Sequence, residues 1–375
     1  MYYIMKTIYL DANASCPPIF EAKKALIESL ENYGNPSSPH IIGRKQRSKL
    51  DDARLLVSNA LGGQEKDLIF TSGASEANRF LVESLLIIAK KKKKIPNIVI
   101  TPFEHQSINK PLKNAAKLKL IKLIILKLNK ERLLLDYRIL NKADVVFATQ
   151  AHNETGIIVN WINIINLCKD TTILISDSSQ GFSRLKKLPT RIDAIVVSGH
   201  KMGAFPGIGA LLLRNNAKKL TPRWLGGGQE NGLRPGTEAF GLINAFAAAA
   251  KTINLQRKKY QKILYLRNEI EEKLLKIWIN AKIIGKHENR LPNTSAIFIP
   301  NIDGEALRIA IDSKKICVGF GSACSSLTPE PSLSLLAMGL TLAESRATIR
   351  ISLHCETNKS DIITTANRLK LIVLN

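Results

Sequence analysis

Long apolar runs are missing from this chain, and no stretch approaches the about 20 uninterrupted residues needed to cross a bilayer. The opening MYYIMKTIYLDANAS also lacks an apolar core of signal-peptide length and a small-residue cleavage pattern. These absences predict a soluble, cytoplasmic protein with no membrane partner. Cysteine is scarce. Cys16, Cys168, Cys317, Cys324 and Cys355 are odd in number and widely spaced, with no CxxC pair. That argues against a disulfide framework or a zinc knuckle, so no metal site is expected, and one reactive thiol among inert ones is the default. Acidic residues are in deficit, 31 against 55 Lys and Arg, for a formal charge of +24. Such an excess suits an anionic partner such as nucleic acid. The lysines, however, are scattered, and the one run, Lys90 to Lys94, reads as a solvated turn between a helix and a strand. No direct nucleic-acid partner is expected.

What is present is a chain of 375 residues, 45% hydrophobic, long enough for one large domain or two unequal ones. Short apolar runs with polar or Gly/Pro punctuation read as buried strands: Leu68–Thr71, Ile98–Thr101, Ile121–Leu126, Val145–Thr149, Ile173–Ser176, Ala194–Ser198 and Gly209–Arg214. Helical patterns separate several of them, at Glu21–Asn32, Arg47–Leu61, Ala77–Lys90 and Ser107–Lys117. Alternation of this kind predicts an α/β fold with a mostly parallel seven-stranded sheet covered by helices on both faces. From about Glu238 the pattern shifts to one or two long helices through 280. Short strands and helices then alternate again from 290 to the end. The expected organisation is a large α/β domain over 1–250, with an N-terminal arm at about 1–20, and a smaller α+β domain over 251–375.

Ligands of such sheets bind beyond the carboxyl ends of the strands. The segments TSGASE, TPFEHQS, TQAHNETG, SDSSQG and SGHKMG all begin there. Lys201, just past a strand and flanked by His200 and glycines, could be a lysine whose amine is desolvated for covalent chemistry. Taken alone, a surface lysine at a strand end is the commoner reading. Asp177 ends another strand, where a carboxylate facing a site needs a cation such as a protonated pyridine nitrogen. It could instead cap a helix beginning at Ser178. Thr71 to Glu76 joins a strand to a helix whose N-terminus suits a phosphate, with Ser72 and Ser75 as further donors, or is an ordinary cap. His105 could lie over a flat ring or carry a proton, or be a satisfied loop histidine. Asn153 and Gln180 could bond a ring hydroxyl or cap their own loops.

Tyr9-Leu10-Asp11, Gly34-Asn35-Pro36-Ser37-Ser38, Phe70 to Glu76, Glu104-His105, Asn153-Glu154-Thr155-Gly156, Asp177 with Gln180, Ser198-Gly199-His200-Lys201, Gly226 to Glu230, Arg234-Pro235-Gly236-Thr237 and Gly321-Ser322-Ala323-Cys324 occur in this order. Together they closely resemble the cysteine desulfurases of the NifS/IscS-like group, class V aminotransferases among the fold-type I pyridoxal-phosphate (PLP) enzymes. The resemblance runs from about residue 8 to 355.

It implies that Lys201 joins the PLP aldehyde, Asp177 pairs with the pyridinium, and His105 stacks on the ring and handles protons. Gln180 and Asn153 would contact the ring oxygen region. Ala74, Ser75, Ser198 and His200 would hold the phosphate, helped by Thr237 from the other subunit of a homodimer. Arg350 would grip the substrate carboxylate in a two-pronged contact, assisted by Asn35. Cys324, among Gly319, Gly321, Ser322, Ala323, Ser325 and Ser326, would take sulfur from L-cysteine as a persulfide, leaving alanine. The long loop 319–332 resembles the mobile type that delivers sulfur to an acceptor protein, and an iron–sulfur scaffold and a tRNA-thiolation protein are both compatible. Cys16, Cys168, Cys317 and Cys355 read as packing residues. Rival readings are a selenocysteine lyase or cysteine β-lyase of the same fold, and a non-catalytic basic binding protein. The chain departs from the family pattern at Asn13-Ala14-Ser15-Cys16, where two threonines are usual. Ser75 stands where a threonine is frequent. His354 follows Leu353 where glycine is common.

Overall fold

The computed structural model describes residues 6–129, 135–222, 224–321 and 331–372. Its strands, in chain order, begin with β1 (Ile8–Tyr9), β2 (Leu68–Thr71), β3 (Asn97–Ile100), β4 (Lys122–Ile125), β5 (Val145–Phe147) and β6 (Ile173–Asp177). They continue with β7 (Ala194–Ser198), β8 (Gly209–Leu213), β9 (Lys282–Ile283), β10 (Thr294–Phe298), β11 (Ile316–Cys317), β12 (Gly319–Phe320) and β13 (Thr348–Ser352). The helices start with α1 (Phe20–Glu28), α2 (Ile41–Leu61), α3 (Ala74–Lys92), α4 (Gln106–Lys117), α5 (Trp161–Leu167) and α6 (Phe240–Lys251). After them come α7 (Ile253–Ile277), α8 (Gly304–Ser313), α9 (Leu333–Ala337), α10 (Leu342–Arg346) and α11 (Lys359–Leu369).

Seven strands form the large sheet in the order β2-β8-β7-β6-β5-β3-β4. From β7 to β4 every neighbour is parallel, whereas β8 runs antiparallel to both β2 and β7. All seven predicted strands are present, with ends shifted by at most two residues. Side chains alternate between the two faces at period two, and both faces are apolar. Phe70, Val146, Leu174, Ile195 and Leu212 enter one core, while Ile69, Val145, Ile173, Val196 and Leu211 enter the other. A strand with no polar face is what a helix on each side demands.

Helix ends differ from the sequence expectation where capping decides. Helix α2 starts at Ile41 rather than Arg47, because His40 Nδ1 accepts the Gly43 N–H and the chain turns there. The 238–280 stretch is two helices, α6 and α7, divided at Thr252.

A separate core lies between α7, α8, α11 and the antiparallel sheet β12-β13-β10-β9. Ile8 and Leu10 belong to that core, and β1 pairs in parallel with β11. The N-terminal segment therefore leads from the C-terminal core directly to the strand ends of the large sheet. Among the described residues no helix is long and apolar enough to cross a membrane.

Candidate active site

The carboxyl ends of β2, β3, β5, β6 and β7 share one edge of the large sheet, as their mutual directions require. The turn from β2 into α3 is held close: a Cβ on Gly209 would stand 2.7 Å from both Gly73 Cα and Val197 O. Gly73 itself (φ 155°) takes a backbone conformation that side chains rarely adopt. A Cβ on Gly73 would meet only the Ser198 hydroxyl, at 3.8 Å, so the start of α3 lies beside that hydroxyl with open space at Gly73. Ser198 Oγ lies 3.0 Å from His200 Nδ1. Burial, and then the Lys201 charge, push His200 down to about 4, so its ring is neutral at physiological pH. The neutral donors Ser198 and His200 and the helix N-terminus make a cradle suited to a phosphate.

Lys201 Nζ donates to the carbonyls of Asn13 (2.7 Å) and Ala14 (2.6 Å). Its own backbone carbonyl accepts from Arg184, a fully buried arginine that also holds Gln180 through its carbonyl and Oε1. Gln180 Nε2 in turn donates to Asn13 O. Asn13 is therefore the hub that ties the N-terminal segment to the lysine. Asp177 is buried at the end of β6, and its carboxylate accepts from Asn78 Nδ2 (3.2 Å) and from Ser179 N (2.9 Å). A buried carboxylate held by neutral donors is poised for a cationic ligand.

His105 caps α4, its Nδ1 accepting from Ser107 N (3.1 Å) and meeting Ser107 Oγ (2.8 Å). Its pKa is lowered, by burial among the site walls first and by Lys201 further, with Asp177 opposing. Beneath it, Glu104 accepts from Thr101 Oγ1 and Thr149 N, and burial raises it to about 7 despite those bonds.

Arg350 comes from β13 and faces the same region. Its Nη2 donates to Asp11 Oδ1 (2.6 Å), its Nη1 to Asn153 O (3.3 Å), and its buried Nε has no partner among the described residues. Gly319 lies opposite it in register, and a Cβ there would stand 2.6–2.8 Å from the guanidinium. The Asn153 backbone is thus at the site. Asn35 is exposed and accepts the Ser37 N–H through Oδ1, within its own turn, and Thr237 is exposed. Cys324, and with it residues 322–330 of the loop, lies outside the described residues. The other four cysteines all have raised pKa values, burial being the main cause, with Cys168 at about 11 and Cys355 at about 12. They are protonated thiols at neutral pH. Sequence reasoning assigned no role to Asn13, Asn78, Ser107 or Arg184. A buried polar residue inside a helix, as Asn78 is on α3, was the available signal.

The donor set fits PLP on three counts: a neutral phosphate cradle, a buried carboxylate for a pyridinium, and a lysine amine beside them. The profile of the aminotransferase class-V family matches residues 8–364. The chain is 33% identical over 366 residues to cysteine desulfurase 2 of Trichormus variabilis, covering 96% of this chain and 91% of that protein. It is 30% identical to the cysteine desulfurase IscS of Dictyoglomus turgidum, covering 98% and 95%. Among solved structures, the NifS-like protein of Rickettsia africae superposes with a TM-score of 0.86 at 29% identity, covering 97% of this chain and 99% of that one.

Proposed function

This chain belongs to the aminotransferase class-V family and is a PLP-dependent cysteine desulfurase, and from that premise we propose how its residues divide the reaction. The observation that carries the proposal is the convergence of Lys201, Asp177, His105 and Arg350 at one sheet edge, with Lys201 and Arg350 tied through Asn13 and Asn153 and Asp177 and His105 through Asn78 and Ser107. Ala74, Ser75, Ser198 and His200 hold the phosphate, and Asp177 the ring nitrogen. The bound cofactor supplies an electron sink for the substrate carbon.

Arg350 binds the carboxylate of L-cysteine, its guanidinium oriented by Asp11. Lys201 takes the α-proton and returns protons to the substrate carbons. Cys324, as thiolate, attacks the substrate sulfur: an S–S bond forms, the C–S bond breaks, and its electron pair passes to carbon. A proton added there gives alanine, and the persulfide stays on Cys324. The position of β12 supports this role. Cys324 follows Phe320 by four residues, a reach of roughly 13 Å, and β12 pairs directly with Arg350.

The active unit is a homodimer with Thr237 reaching its partner's phosphate site. Phe20, Ile27, Leu30, Tyr33 and Ile41, all more than 60% exposed along α1, the connection that follows it and the start of α2, supply an apolar surface that water alone would not favour. The chain divides into a large domain over 1–250 and a small one over 251–375. The persulfide passes to an acceptor protein, an iron–sulfur scaffold or a tRNA-thiolation protein, in the cytoplasm.

The test is to incubate the PLP-loaded protein with sulfur-labelled cysteine, block thiols, and map the label by peptide mass. Label on the Cys324 peptide with stoichiometric alanine supports the reading. Sulfide release without labelled protein would make the chain a β-lyase and overturn it.

A further inference from the structure

Four polar groups form a chain that crosses the site from one functional side chain to another. Asn78, fully buried on the first turns of α3, uses its single amide nitrogen twice. Nδ2 donates to Asp177 Oδ2 (3.2 Å) and to Ser107 Oγ (2.9 Å). Ser107 Oγ is 2.8 Å from His105 Nδ1, and the Ser107 backbone N–H donates to that same nitrogen at 3.1 Å.

The proton positions follow by elimination. An amide nitrogen only donates, so Ser107 Oγ accepts from Asn78 and keeps its one hydrogen available to donate to His105. A backbone N–H also only donates, so His105 Nδ1 receives two donors and has no room for a proton of its own. We infer that Ser107 and Asn78 are positioning residues that lock His105 as the neutral tautomer protonated at Nε2, making it a fixed hydrogen-bond donor to an anionic oxygen or sulfur of the substrate rather than a proton carrier. The inference rests on the proposed reading of the site, in which His105 faces cofactor and substrate.

Imidazolium would require a proton on Nδ1, against two donors already aimed there, and the charged groups facing the ring do not reverse this. Asp177 favours the cation, but Lys201 and burial oppose it, and the net displacement of the His105 pKa is downward. Proton transfer at the substrate carbons then falls to Lys201. This also gives the buried Asn78 a reason for its place. One nitrogen sets the orientation of the Asp177 carboxylate and, through Ser107, the hydrogen-bonding polarity of His105.

The test is nitrogen-15 NMR of PLP-loaded protein labelled at histidine, with the His105 signals identified by their loss in His105→Gln. The expected result is a protonated-type Nε2 and an unprotonated-type Nδ1, unchanged between pH of roughly 6 and 8. Ser107→Ala removes one of the two donors. It should raise the imidazolium fraction at the lower end of that range and move the acidic limb of the kcat profile up, with about a tenfold loss of kcat. Ser107→Thr, which keeps the hydroxyl, should restore the wild-type signals. Asn78→Ala should mix the two tautomers if it folds; the Ser107 pair decides if it does not. A proton on Nδ1 in the wild type, or His105 signals unmoved by Ser107→Ala, would overturn the inference while leaving the desulfurase reading intact. Failure to gain visible absorbance on adding PLP would sink that reading instead, and the tautomer can still be read in the same sample.

Discussion

The proposed cofactor side and the proposed substrate side of the site are built in opposite ways. On the cofactor side, Asp177, Ser198, His200, Lys201 and the start of α3 all stand within a few residues of strands of one sheet. Those strands are buried on both faces, so each strand end fixes its side chains as a by-product of packing. On the substrate side, Arg350 sits on β13 of a different sheet with its own core, and it is held by Asp11, 339 residues away in sequence. That pair depends on the N-terminal segment bridging two cores. With the proposed roles, the comparison teaches that the chemistry would rest on rigid strand ends, whereas recognition would rest on a long-range tie that a single contact can loosen.

The largest effect expected on this comparison falls on the cofactor side. Lys201→Ala should abolish the visible absorbance of the loaded protein and lower alanine formation by several orders of magnitude, read by absorption and by amino-acid analysis. An intact absorbance band would put the attachment elsewhere.

Arg350→Lys keeps the charge and loses the planar fork. It should raise KM for cysteine by about two orders of magnitude, close to 3 kcal/mol, while the absorbance before substrate stays that of the wild type. Steady-state kinetics and a spectrum on one sample make the check. A lost band with unchanged KM would erase the division between the two sides.

Glu104 tests the buried footing of the cofactor side. Its folded pKa, raised by burial to about 7, lies above the unfolded carboxylate value, so the folded protein holds a proton that the unfolded chain releases. The stability this contributes is complete below a pH of about 4.5 and is lost as pH rises through about 7. Glu104→Gln keeps an oxygen for Thr101 and Thr149 and never ionises. Relative to wild type it should gain on the order of 3 kcal/mol between pH of about 4.5 and 8, measured by denaturant unfolding. A constant difference across that range would show that Glu104 does not titrate there.

The smallest effect expected is on the tie itself. Asp11→Asn removes the charge from the 2.6 Å contact with Arg350. About a tenfold rise in KM, with cofactor absorbance unchanged, would mark Asp11 as an orienting partner. A fall in KM would mean instead that Asp11 competes with the substrate for the guanidinium.

How far the sequence could be read follows the same division. The seven strands of the large sheet were legible because each is a short apolar run with punctuation at its ends, and the site loops follow those strands directly. Arg350 was singled out through resemblance to a family pattern and not through any local rule, while Cys324, singled out by that pattern and by its small polar neighbours, lies outside the described residues. Asn13, Asn78, Ser107 and Arg184 were not legible at all. Their roles come from hydrogen bonds that join separate parts of the chain, such as Gln180 to Asn13 and Asn78 to Asp177, and no period or spacing encodes such pairings. The start of α2 was misplaced by six residues because its cap is a histidine, an uncommon capping residue in a run that otherwise carries no helical face. In the opposite direction, the excess of 24 positive charges said little, since the site runs on a few buried groups and not on the surface field.

The central claim is that the two sides act on one cysteine molecule whose sulfur leaves to Cys324. It is tested most directly by alanine formation in Cys324→Ser, measured beside single serine variants of Cys16, Cys168, Cys317 and Cys355. Cofactor absorbance and its shift on adding cysteine should persist in Cys324→Ser, because neither needs that thiol, while alanine output falls by orders of magnitude. The four other variants, whose thiols are held protonated, should keep most of their output. Retention of alanine output by Cys324→Ser, with its loss in one of the other four, would contradict the account.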